Sequence, residues 1–320
     1  MAITVAEKKR YITKGEGQVD EGLPGWFNTF ADMMTLLFAF FVLLAAISTI
    51  DPVKYEEMAD SMGKSVGKKI KIDNQAMSLM EIKKAAEKMI EEGADILDIG
   101  AESSRPGSAP LSEQEELNRL LPIVIKLAEI IPIPISVDTY KPAVAHEVLN
   151  AGASIINDIT GLQRFPDMAK TIARFRAGVI LMHMQGSPET MQDNPQYVDL
   201  LAEISEFLNQ SITIAATAGI DPDKIAIDPG IGFGKTDSHN LLILKNLSRL
   251  KELGKPVLLG ISRKSLIGNI LNVSVDERLE GSLSAAVFGV IQGASIIRTH
   301  DVQATSRAIK VAESIMNEKG

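Results

Sequence analysis

Three side chains at the ends of apolar runs, Asp138, Asn157 and Asp228, combine two acids with one amide. That set supplies the acceptors and the donor needed to hold a flat heterocycle rich in N–H groups. Singly, a strand-end Asp or Asn also caps the next helix, so only the combination points to a ligand. The last two apolar runs end in cations instead: Ser262, Arg263 and Lys264 follow one, and Arg298 and His300 close the other. Barrels often hold phosphate on their last strands, and four cationic donors in an otherwise acidic chain point to an anionic leaving group. Asp228 also opens the run Asp228-Pro-Gly-Ile-Gly-Phe-Gly-Lys235. A phosphate loop would need glycine where Pro229 stands, and a dinucleotide fingerprint would need GxGxxG where GxGxG is found. The glycines are therefore read as letting backbone approach a ligand, with Phe233 and Lys235 able to line it.

These residues need elements that deliver them to one place. Apolar runs at 94–100, 134–139, 154–159, 178–184, 225–230, 256–262 and 295–301 alternate with stretches of helical period. This is a βα repeat with parallel strands buried on both faces. A doubly wound sheet concentrates polar groups at one switch point, whereas here nearly every strand ends in one: Asp98, Asp138, Asn157 with Asp158, His183, Asp228, Ser262 with Arg263, and Arg298 with His300. The pattern predicts an α/β fold, a (β/α)8 TIM-barrel-like domain over 78–320 with its site at the C-terminal rim. Seven strands are visible. The first βα unit begins at its helix, 81–92, so the barrel is expected to lack its first strand.

The formal net charge of -8, with 33 basic and 41 acidic residues, argues against a nucleic-acid partner. Absence of cysteine removes disulfides, thiolate chemistry and Cys-zinc sites, and no residue is assigned as a metal ligand. Residues 1–24 form a polar segment. Residues 25–50 are almost unbroken in apolar character and as a helix would run about 37 Å, enough to cross a ~30 Å hydrocarbon layer. A single transmembrane helix is expected there, entered at Pro24-Gly25 and ended by Asp51-Pro52. Its one ionisable residue, Asp32, is costly in lipid, so a proton path is the default reading and a position hydrated by headgroups is the other. Residues 51–77, amphipathic and then lysine-rich, read as a linker.

Residues 20–67, in particular Gly22-Leu-Pro-Gly-Trp-Phe-Asn-Thr-Phe-Ala-Asp32 and Asp51-Pro-Val-Lys-Tyr55, resemble the flagellar motor stator B subunit (MotB and PomB type). The resemblance implies that Asp32 carries protons beside a stator A-type membrane partner. That family continues into a peptidoglycan-binding domain, and nothing here matches one. Residues 78–317 are similar to dihydropteroate synthase: Asp98-Ile-Gly-Ala-Glu-Ser-Ser-Arg-Pro-Gly107, Ile135-Ser-Val-Asp-Thr-Tyr-Lys141, Ile156-Asn-Asp158, Leu181-Met-His-Met184, Asp228 to Lys235, Ser262-Arg-Lys-Ser265 and Arg298-Thr-His-Asp301 occur in order. This implies transfer of a pterin from 6-hydroxymethyl-7,8-dihydropterin diphosphate to p-aminobenzoate, with a magnesium ion on the diphosphate and a cytoplasmic homodimer as the common form. It further implies a pterin held by Asp138, Asn157, Met182, Asp228, Lys264 and Arg298, a diphosphate at Arg298 and His300, and p-aminobenzoate bordered by Ser104, Arg105, Phe233 and Ser262. Lys264, Arg298 and Asp228 would carry the catalysis. The family's opening strand, whose asparagine binds the metal, has no counterpart in this sequence. The chain thus reads as two joined halves, and the alternative is a proton-conducting stator-type subunit with the barrel as cargo.

Overall fold

The computed structural model describes residues 79–102 and 110–318. The expected span at 25–50, Asp32, Ser104 and Arg105 lie outside the described residues.

Nine α-helices and seven strands alternate among the described residues: α1 (Leu79–Glu91), β1 (Leu97–Gly100), α2 (Glu113–Ile130), β2 (Ile135–Asp138), α3 (Pro142–Asn150), β3 (Ile155–Asp158), α4 (Pro166–Phe175), β4 (Gly178–Met182), α5 (Leu200–Thr217), β5 (Ile225–Asp228), α6 (Asp237–Lys245), β6 (Leu258–Gly260), α7 (Ser265–Leu271), α8 (Leu279–Ile291), β7 (Ile296–Arg298) and α9 (Val302–Asn317). Every expected strand is present, each within its apolar run. The boundaries obey local chemistry. Ser112 forms a capping box with Glu115 at the start of α2, Thr236 forms one with His239 at α6, and Pro142 and Pro166 occupy first-turn positions that need no N–H.

Pairing is parallel throughout, in the order β1-β2-β3-β4-β5, with a single bridge from Ile227 to Val257 carrying the array on to β6-β7. The array curls. Six strand steps laid flat would separate β1 from β7 by about 29 Å, yet the Arg298 guanidinium at the end of β7 lies 2.7 Å from the Asp98 carboxylate on β1. Among the described residues β1 pairs only with β2 and β7 only with β6.

Strand periodicity sorts every side chain to one of two layers. Leu97, Ile99, Ile135, Val137, Ile156, Val179, Leu181, Ile225, Ile227 and Leu259 face the helices and join the main core with Leu120, Val124, Ile204 and Leu208. Ile155, Ile180, Ala226, Leu258 and Ile296 meet inside the curl as a separate apolar layer. Two residues further along each strand, the inward position is Asn157, Met182, Asp228, Gly260 or Arg298, with Asp138 beside Asn157 and Gly100 beside Asp138. Alternation, applied to seven short strands, assembles the mouth.

Candidate active site

Arg298 is the cross-piece of this mouth. Its Nη2 stands 2.7 Å from Asp98 Oδ2 and 3.3 Å from Asp138 Oδ2, so one guanidinium answers carboxylates from two other strands. Burial pushes the Asp138 carboxyl up to about 7, the neighbouring Asp98 adds to the rise, and Arg298 opposes it. Burial would lower the Arg298 guanidinium, but Asp98, Asp138 and Asp228 together hold it above its ordinary value. Asn157, buried next to Asp138, keeps an Oδ1 with no hydrogen-bond partner among the described residues. An orphaned amide oxygen in a polar mouth is where a ligand N–H belongs.

Asp228 completes the acidic side. It accepts the Gly230 N–H at 2.7 Å, and burial raises its carboxyl against the opposing charge of Lys264. Burial in turn pulls the Lys264 ammonium down to about 8, with Asp228 holding it up and Arg298 adding to the fall. Lys264 donates to the Ile231 carbonyl and lies 4.8 Å from the centre of the Phe233 ring. Met182 and Phe233 belong to one apolar cluster with Tyr140, Ile159 and Met191, a greasy wall beside the polar mouth. The mouth therefore offers acceptors on one side, cations on another and an apolar surface between them.

The glycines after Asp228 have a steric cause. Gly230, Gly232 and Gly234 all take positive φ, and a Cβ on Gly230 would sit 1.9 Å from the His183 carbonyl oxygen. This loop lies directly on the end of β4.

On the cationic side, Ser262 Oγ accepts the His300 N–H at 3.2 Å and lies 3.1 Å from His300 Nδ1, joining β6 to β7. Arg263 departs from the sequence reading. Its guanidinium is clamped by Asp301 at 2.9 and 2.6 Å and its carbonyl accepts from Arg278, so its charge is neutralised within the fold and the cationic cluster reduces to Lys264, Arg298 and His300. Asp158 likewise serves the fold: its carboxylate accepts from the Thr160 N–H and hydroxyl and from the Leu162 N–H.

Two features escaped the sequence reading. Asp98 was visible as a strand end, but its partnership with Arg298 depends on the curl that brings β7 beside β1. Lys141 binds Glu102 and Glu116 at 2.5 Å each and the Leu111 carbonyl at 2.8 Å, while Tyr140 donates to Glu102 at 2.8 Å. Burial alone would lower the Lys141 ammonium, but its hydrogen bonds to the two glutamates raise it. The lysine thus ties residues on either side of 103–109 to the end of β2. Among the described residues no three His, Asp or Glu side chains gather as a metal cage.

The family model described as pterin binding enzyme matches residues 67–300. The chain belongs to the pterin binding enzymes. Within that family it is 46% identical over 242 residues to the dihydropteroate synthase of Escherichia coli (strain K12), covering 76% of this chain and 86% of that protein. The solved dihydropteroate synthase of Yersinia pestis with a sulfonamide drug complex superposes with a TM-score of 0.73 at 44% identity, covering 76% of this pterin binding enzyme and 87% of that one. The Xanthomonas albilineans synthase solved with 4-aminobenzoic acid gives 0.72 at 40% identity, covering 77% and 88%. Residues 8–66 match a second family model, described as membrane MotB of the proton-channel complex MotA/MotB, in agreement with the stator-like wording of that segment.

Proposed function

We propose that this pterin binding enzyme is a dihydropteroate synthase, a transferase that joins 6-hydroxymethyl-7,8-dihydropterin diphosphate to p-aminobenzoate and releases diphosphate. The observation that carries the reading is the inward terminal layer, in which Asp138, Asn157, Asp228, Arg298 and Met182 share one mouth with Lys264 beside Asp228. In this reading Asp138, Asn157 and Asp228 take the N–H edges of the pterin, Met182 lies against its face, and Lys264 and Arg298 complete its grip. Arg298 and His300 receive the diphosphate, and Ser104, Arg105, Phe233 and Ser262 border the p-aminobenzoate.

The chemistry follows from the charges. Cations at Lys264 and Arg298 stabilise the departing diphosphate, the carboxylates of Asp138 and Asp228 favour the positive pterin that remains, and the weakly nucleophilic aniline adds to it. Family resemblance brings a magnesium ion with the diphosphate. The residues at this mouth do not fit a protein-held cation, since cationic groups line the diphosphate side and no acidic cage forms among the described residues, so no step is assigned to the ion. The seven described strands are consistent with an eight-stranded barrel short of its first. Diphosphate release with both substrates tests the assignment; a rate no higher than that of Asp228→Ala combined with Lys264→Ala overturns it.

The match of residues 8–66 supports a second property of the same chain: attachment to a membrane through residues 25–50, with Asp32 as a proton carrier covered by a stator A-type partner. Proton flux that is indifferent to Asp32→Asn removes the carrier role and leaves an anchor. A homodimer of the synthase unit is part of the proposal and is tested by sedimentation.

A further inference from the structure

Lys235 is almost wholly buried, and none of its bonding partners is charged. Its Nζ donates to His183 Nδ1 at 2.9 Å, to the Phe233 carbonyl at 2.9 Å and, more weakly, to the His183 carbonyl at 3.4 Å. Three donors thus meet three acceptors, drawn from only two places, the end of β4 and the glycine loop after β5. Burial pulls the ammonium down to about 7, with Asp228 favouring the charge and Lys264 opposing it, so such a group is costly to keep. His183, pulled down to about 2 by burial and by Lys235, stays neutral and can only accept at Nδ1 when the lysine donates.

The loop held in this way carries site groups. Phe233, whose carbonyl the lysine fixes, places its ring 4.8 Å from Lys264 Nζ, and Lys264 in turn donates to the Ile231 carbonyl of the same loop. Glycine conformations let the loop lie down on His183 and Gln185, but three residues free to adopt positive φ are also free to leave it. Gln192 donates to the Gly232 carbonyl, Tyr197 to the Gly234 carbonyl, and the Gly232 N–H to Asn240, while Ile231 joins the main core. Lys235 is the charged side chain of the loop that is buried against the end of β4.

We propose that Lys235 is a positioning residue for the transfer reaction: its ammonium pins the loop after β5 to the end of β4 and thereby sets Lys264 for the pterin and Phe233 for the p-aminobenzoate. The proposal rests on the synthase reading for its functional half and on geometry alone for the pin. Lys235→Met keeps the length and removes the donors. In the full chain, backbone amides of residues 230–236 then exchange with solvent at least about tenfold faster while those of α1 are unchanged. The KM for the pterin diphosphate rises about tenfold or more, and that for p-aminobenzoate, which Phe233 borders, rises with it. His183→Leu, which removes one acceptor and leaves the lysine, gives the same pattern at smaller size and decides the matter should Lys235→Met not fold; His183→Asn, which restores an acceptor, recovers the pterin KM. Unchanged exchange in either folded variant overturns the pin, and unchanged pterin KM beside faster exchange overturns its role in the reaction. A wild-type chain without turnover would instead fail the synthase reading, and the exchange measurement would still decide the pin.

Discussion

Asp138 illustrates how a single site residue works against the fold that holds it. Its folded carboxyl titrates at about 7 against an ordinary 3.8, so its contribution to stability is whole below about pH 4 and is lost as pH rises through 7. Asp138→Asn, which cannot ionise, is therefore expected to melt above wild type at pH 8, with the gap closing as pH falls from 7 to 4; melts that run parallel across that range would remove the account. Turnover should move the other way, with a loss of at least about 100-fold, because an amide cannot favour a positive pterin. Arg298 is a second case in which one group does two jobs. Arg298→Lys keeps the charge but loses the planar guanidinium that sets Nη2 between Asp98 and Asp138 and has further N–H donors for an anion, and kcat is expected to fall about 100-fold in diphosphate-release assays.

At the scale of elements, the strand-to-helix turns carry the steric conditions for the site. Gly230 and Gly254 share a φ of +68, but a Cβ at Gly254 meets nothing within 4 Å while one at Gly230 would fall 1.9 Å from the His183 oxygen. Gly254→Ala should cost about 1–2 kcal/mol, the strain of a left-handed alanine. Gly230→Ala should cost clearly more and raise the pterin Kd about tenfold or more, because the loop must lift from β4. Equal costs in denaturant titration would show that φ alone explains both. The caps at Ser112 and Thr236 came only with the structure, whereas the seven strands and the helices between them follow from apolar runs and helical period in the residues. Strand lengths do not, because where pairing stops depends on where the neighbouring strand stops.

For the whole molecule, residues 76–320 form one compact unit by their internal contacts. Deleting residues 1–75 is expected to leave the pterin Kd within about twofold and to abolish membrane association, read by fractionation and pterin titration; a folded deletion that loses pterin binding would overturn that expectation.

The residues themselves determined the βα repeat, the acids and amide at strand ends, the cations on the last two strands and the family to which they point, since periodicity and motif order are properties of a string. Only the tertiary structure decided which charges are spent. Arg263 and Asp301 cancel one another, Lys141 is consumed by two glutamates, Lys235 is answered by neutral acceptors, and Arg298 reaches Asp98 from the far end of the chain. Those pairings depend on separations in space between residues up to 200 positions apart, which the curl of the strands sets and which no local pattern encodes.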